Sequence, residues 1–175
     1  MNKKKKISLL LDIVFLCLLI GVDQYTKHLA VLKLKNQTPV ALIKTIFELQ
    51  YLENRGAAFG ILQNQKMFFV FAAVIILSMI SYVLIKVPFG RKYRLVHICL
   101  IMIASGAVGN LIDRVMHNYV VDFLYFKLIN FPIFNVADIC VSIGTVLLIF
   151  SILFYYKEED LNFLKLKIIN SKSEQ

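Results

Sequence analysis

Two aspartates stand in apolar company: Asp122 within Val120-Val121-Asp122-Phe123, and Asp138 within Phe134-Asn135-Val136-Ala137-Asp138. A carboxylate inside or bordering a membrane-spanning segment costs roughly 2.5–3.5 kcal/mol on insertion scales, and marks an ion path, a proton relay or a catalytic site. Asp122 has no evident local structural duty, and its neighbours Val120, Val121, Phe123 and Leu124 would desolvate it and raise its pKa. Asp138 has a structural alternative. With Asn135 as a helix N-cap, Asp138 falls at the third position, where a carboxylate interacts favourably with the macrodipole. Folded together, the two would share a single proton, so that one acts as base while the other acts as acid.

Other polar residues cluster in short motifs. Asn110, Asp113 and Arg114 are spaced i, i+3 and i+4 and project to one side of a helix. Arg114 alone could simply snorkel at a helix end, whereas a neighbouring amide and carboxylate favour an arranged polar site. Asn54-Arg55-Gly56-Ala57-Ala58-Phe59-Gly60 offers glycines, Gly56 first, for close backbone approach beside a polar amide, although a plain turn explains it equally well. Packing is the simplest account of Gly106 and Gly109, small residues that let another helix come close.

The elements that must position these groups follow from composition. Hydrophobic residues make up 59% and charged residues 18% of the 175, and the mean hydropathy is +0.72. Soluble domains sit nearer ~45–50% apolar, so an integral membrane protein is expected, with no separate soluble domain. Four apolar stretches, about 7–22, 67–85, 95–112 and 136–156, are each near the ~20 residues that cross a bilayer. The expected fold is an all-α membrane domain spanning 1–175, with four transmembrane helices and a small extracytoplasmic sheet between the first and second. Lysines 3 to 6 precede the first stretch, and Lys86, Arg91, Lys92 and Arg94 separate the second from the third. By the positive-inside rule both termini are then cytoplasmic, and the connections 23–66 and 114–135 lie on the outer face.

In the first of these connections, Phe47, Leu49 and Tyr51 alternate with Glu48 and Gln50, the period of a half-buried strand. The excess of 20 Lys and Arg over 11 Asp and Glu fits topology and anionic-lipid contact rather than nucleic-acid binding. The lysine run before Ile7 imitates a signal peptide, but no small-residue cleavage site follows, so an uncleaved helix is expected. Asp12 within it reads as a carboxylate facing other helices or reaching towards the lysines. Cys17, Cys99 and Cys140 have no metal-ligand or redox spacing and read as small buried hydrophobes. The scattered His28, His97 and His117 do not suggest a metal site.

In order along the chain, Asp23 to Lys27, Asn54 to Gly60, Gly109-Asn110-Leu111-Ile112-Asp113-Arg114, Val120 to Phe123 and Phe134 to Asp138 resemble the motif series of bacterial lipoprotein signal peptidase, signal peptidase II. The resemblance spans the first helix to the fourth. It implies an aspartic endopeptidase of the bacterial cytoplasmic membrane that removes signal peptides from prolipoproteins, cutting before a diacylglyceryl-modified cysteine. Asp122 and Asp138 correspond to the catalytic pair, with no metal or other cofactor required. Asn54, Asn110 and Arg114 are implied to line the substrate cleft, with Asp113 orienting Arg114. Asp23 and Lys27, four residues apart, are expected to form a structural ion pair at the membrane surface. The implied partners are lipidated precursors and membrane lipids, with the enzyme a monomer. A competing class is a small ion or proton transporter using Asp113, Asp122 and Asp138 as a relay, which predicts carboxylates spread through the depth of the bundle. A non-enzymatic scaffold or a divalent-cation site of Asp and Asn oxygens is a third.

Overall fold

The computed structural model describes residues 3–56 and 62–164; the Ala57 to Gly60 part of the second motif lies outside them. Helix α1 runs Lys3–Leu34, so it continues well beyond the end expected near Val22. Asp23, Lys27, Ala30 and Leu34 are buried to between 1% and 8% exposure. Their spacing of four, three and four residues is the stripe of one helix face, polar at one end and apolar at the other. At ~1.5 Å per residue α1 is about 48 Å long against a hydrocarbon core of about 30 Å. Its last turns pack beside the sheet, where Ala30 and Leu34 meet Val121 and Phe123.

Helices α2 (Lys66–Lys86), α3 (Arg94–His117) and α4 (Val136–Phe154) complete a set of four that are long and apolar enough to cross a membrane. Large apolar side chains such as Leu18, Phe71, Ile85 and Leu153 remain exposed on the helix surfaces, as lipid contact requires. Helix α3 is the hub. Half of its most apolar window is buried, against 6% for α1 and α2 and 22% for α4. It also extends to His117, past the end expected near Ile112, so Asp113 and Arg114 are helical residues.

Small residues explain how α4 comes so close to α3. A Cβ on Gly106 would collide with the Ala137 carbonyl oxygen and Val141 Cγ2, and one on Gly144 would lie 2.9 Å from the Cys99 carbonyl oxygen. Backbone cannot step aside as a flexible side chain can. Gly106→Ala is therefore expected to cost about 1–3 kcal/mol, read as a lower midpoint in thermal unfolding of the detergent-solubilised protein. Because Ala137 adjoins Asp138, activity should fall with it.

A three-stranded antiparallel sheet, in the order β1 (Val40–Ile43), β2 (Phe47–Asn54), β3 (Val120–Phe126), caps one end of the bundle. Two strands lie between α1 and α2 as expected; the third comes from the α3–α4 connection. The β2–β3 register pairs Asn54 with Val120 and Leu52 with Asp122, with an irregularity between Leu49 and Leu52. Alternation along β2 is accordingly imperfect. Glu48 is buried and receives Lys127 Nζ at 2.7 Å instead of facing away from the protein.

At the other end of the bundle Asp12 Oδ2 lies 2.9 Å from Nδ1 of buried His97, linking α1 to α3. Cys99 and Cys140 are buried, whereas Cys17 is exposed on α1.

Candidate active site

The site forms where β3, the end of α3 and the start of α4 converge. Asn135 adopts extended backbone and caps α4 with a complete capping box. Its Oδ1 accepts from Asp138 N at 3.0 Å, and Asp138 Oδ2 accepts from Asn135 N at 3.1 Å. That box fixes Asp138 at the positive end of the helix dipole. The Asn135 side chain also reaches β3, where Nδ2 donates to Asp122 Oδ1 at 2.6 Å. One fully buried asparagine thus holds both carboxylates, through its backbone on one side and its amide on the other.

The remaining carboxylate oxygens are also held. Asn54 Nδ2 donates to Asp122 Oδ2 at 2.8 Å, and Asn110 Nδ2 to Asp138 Oδ1 at 2.8 Å. Asn54 is itself braced by Gly56 N, which donates to its Oδ1 at 3.0 Å. Burial, followed by the nearby Asp138 charge, pushes Asp122 up from the usual carboxylate range to about 7, against the lowering effect of the Asn54 and Asn135 hydrogen bonds.

Both aspartates open onto one cleft of about 580 Å³, whose polar wall also includes Asn54, Asn110 and Arg114. Phe69, Ile139 and Ile143 form an apolar part, and Phe131 to Phe134 another. Arg114 stacks over the Phe69 ring at 4.6 Å from its centroid. Its guanidinium donates to the Gly56 and Asn110 carbonyl oxygens at 3.3 and 3.4 Å. These long bonds leave donors of a five-donor group for a ligand.

Asp113 does not orient Arg114 by direct pairing. Its oxygens accept from Gln24 Nε2 at 3.0 Å and Val121 N at 3.1 Å, and it pairs with Lys27 Nζ at 3.1 Å. Lys27 also pairs with Asp23 at 2.9 Å, and this cluster is buried between α1 and α3. Asp23 Oδ1 in turn accepts from Ala137 N at 2.9 Å, tying α1 to the start of α4. Gln24, which the sequence reading passed over, bridges Asp23, Asp113 and the Gly109 carbonyl. Its position one residue after Asp23, on the side turned towards α3, was the available signal.

Asp23, Asp113, Asp122 and Asp138 gather at the sheet end, with Asp12 apart near the other. A relay through the depth of the bundle therefore gains no support. Among the described residues no three His, Cys, Asp or Glu side chains converge as metal ligands.

This geometry belongs on a chain with many relatives. A family model described as signal peptidase (SPase) II matches residues 15–154. The lipoprotein signal peptidase of Streptococcus thermophilus is 45% identical over 142 residues, covering 81% of this chain and 90% of that one. That of Clostridium tetani is 42% identical over 153 residues, covering 85% and 94%. A solved bacterial membrane enzyme, determined by the in meso method at 2.3 Å resolution, superposes with a TM-score of 0.74 at 30% identity, covering 84% of this chain and 92% of its own.

Proposed function

The chain belongs to the signal peptidase II family, a family of membrane peptidases, and on that premise we propose that Asp122 and Asp138 hydrolyse prolipoproteins just before the diacylglyceryl-modified cysteine. The observation that carries this reading is the single buried Asn135 joined to both carboxylates at the wall of one cleft.

Asp138 begins ionised and Asp122 begins protonated. What sets Asp138 apart as the charged partner is the α4 N-terminus with its backbone donor Asn135 N; Asp122 has side-chain amide donors only, and burial holds it neutral. Asp138 takes a proton from water, whose oxygen attacks the scissile carbonyl carbon as Asp122 gives its proton to the carbonyl oxygen. As the resulting diol collapses, Asp138 gives the proton it took to the departing nitrogen, the C–N bond breaks, and Asp122 recovers a proton from a diol hydroxyl. The products are a signal peptide ending in a new carboxyl group and a lipid-modified cysteine with a free amine.

Substrate enters from the side. Helices α2 and α4 both pack on α3 and have at most marginal contact with each other, and the cleft lies between them, bordered by Phe69 of α2 and by Ile139 and Ile143 of α4. Acyl chains can stay in lipid while the peptide bond reaches the carboxylates. The spare donors of Arg114 hold the peptide or the ester portion. The basic residues at the start of α1 and between α2 and α3 support a reading in which that end is cytoplasmic and the sheet end lies on the outer face of the bacterial cytoplasmic membrane.

The pH dependence tests the assignment. Asp122 must hold its proton, so kcat should fall as pH rises through about 7. Asn54→Ala removes a donor that stabilises ionised Asp122; the pair should then keep its proton longer and the alkaline limb should move to higher pH. Kinetics across about pH 5 to 9, roughly two units either side of that limb, check this. The limb belongs to the coupled pair, and one that stays in place or moves down would remove Asp122 from the acid role.

A further inference from the structure

We propose that Lys27 is a positioning residue for the hydrolysis, acting through Asn110: it holds the amide of Asn110 in the single orientation that donates to Asp138. The proposal rests on the two-aspartate reading above and adds a residue that never touches the reacting atoms.

An ammonium group carries three donors and no acceptor. Lys27 Nζ has three partners, Asp23 Oδ2 at 2.9 Å, Asp113 Oδ2 at 3.1 Å and Asn110 Oδ1 at 2.9 Å, and the side chain is 3% exposed. The first two already pair its charge. Both carboxylates are supplied from elsewhere as well, Asp23 by Ala137 N and Gln24 and Asp113 by Val121 N and Gln24. As an ion cluster between α1 and α3 the group is complete without Asn110. The third N–H is therefore free to do something other than hold the helices together.

What it does is define an amide. Asn and Gln amides are assigned from their partners, and those of Asn110 leave one solution. Oδ1 receives Lys27 Nζ and also Asn135 Nδ2 at 3.1 Å, both obligate donors. Turning the amide over would set its N–H groups against an ammonium and a second amide N–H. With the oxygen held, Nδ2 faces Asp138 Oδ1 at 2.8 Å. Lys27 thus keeps a donor on the carboxylate that starts the reaction ionised.

This also reassigns Asn110. It lines the cleft, where an amide reads first as a substrate contact, but its oxygen and one N–H are committed to protein groups. The charged or titratable groups around the pair are Asp23 and Lys27 from α1, Asp113 and Arg114 from α3, Asp122 from β3 and Asp138 itself on α4. Strand β2 contributes neutral Asn54, and α2 the Phe69 ring.

The test uses the purified full chain in detergent and a synthetic diacylglyceryl-modified precursor peptide. Three variants are compared: Asn110→Ala, the charge-balanced Lys27→Met/Asp113→Asn, and the triple combination. Asn110→Ala leaves Lys27 with both carboxylates, and the double variant leaves Asp23 with Ala137 N and Gln24. Each is expected to lower kcat by roughly 10- to 100-fold, the scale of a lost charge-assisted hydrogen bond. KM should stay within about threefold, and the acidic limb of the kcat profile should move to higher pH as the base loses its donor. The triple variant should be no slower than Asn110→Ala, since Lys27 acts through that amide alone.

The proposal is overturned if Asn110→Ala keeps native kcat and an unmoved acidic limb, or raises KM with kcat intact, which is the signature of a substrate contact. It is equally overturned if the double variant loses activity only in step with its thermal midpoint, with the limb unmoved. Should the double variant fail to fold, Asn110→Ala decides alone. Asp122→Asn and Asp138→Asn controls separate the two levels: activity surviving in them sinks the two-aspartate reading, whereas their loss beside a native Asn110→Ala sinks only the role of Lys27.

Discussion

Asp122→Asn and Asp138→Asn are each expected to lower kcat by about 10²- to 10⁴-fold, the usual worth of a positioned acid or base, with KM little changed. An amide can neither take a proton from water nor give one to a carbonyl oxygen at neutral pH. The substitutions are nearly isosteric, and each gives up one of the hydrogen bonds that the carboxylate accepts. Asn at 138 can still accept from Asn135 N, and Asn at 122 can still accept one of the two amide donors now supplied by Asn54 and Asn135. Thermal midpoints near that of the native protein, beside lost cleavage, would separate chemistry from folding. In the proposed mechanism the two losses are not additive, because each carboxylate works only with the other.

The second large effect is on stability. Lys27→Met alone leaves Asp23 and Asp113 buried near one another without their shared cation. Breaking a buried pair by removing one partner costs about 3–5 kcal/mol, because the surviving charge remains desolvated. Denaturation in detergent micelles should register that loss. Adding Asp113→Asn should restore a substantial part of it, since one charge of each sign is then gone. Equal instability in the single and double variants would mean that Lys27 contributes packing rather than charge.

The polar residues of the site were legible in the sequence because each one contradicts its surroundings. Asp122 interrupts a run of Val and Phe, and Asn110, Asp113 and Arg114 interrupt a helix otherwise made of small and apolar residues. The four apolar helices were equally plain. Less visible was the end of α1, where Asp23, Gln24 and Lys27 read as a loop although Asp23, Lys27, Ala30 and Leu34 keep helical spacing. Polarity along a chain does not distinguish solvent from a buried partner on another helix, and here that partner is Asp113.

Strand β3 was hidden in the same way. Val120 to Phe126 has the β-branched and aromatic character of a strand, yet its neighbour β2 lies more than sixty residues earlier, roughly the separation that local pattern cannot see. Asn135 was readable as a cap, a local role. Its amide bond to Asp122 depends on where β3 is laid, and that is decided by packing against α1 and pairing with β2.

In the proposed reaction these carboxylates cut a lipidated precursor without any other catalytic group. The most direct measurement is mass-spectrometric mapping of products from a diacylglyceryl-modified precursor treated with purified protein in chelator, beside the Asp122→Asn/Asp138→Asn double variant. The predicted result is a native product whose new N-terminus is the modified cysteine, unaffected by the chelator, and intact precursor with the double variant. Cleavage by the double variant, or native activity that chelation abolishes and a divalent cation restores, would contradict it.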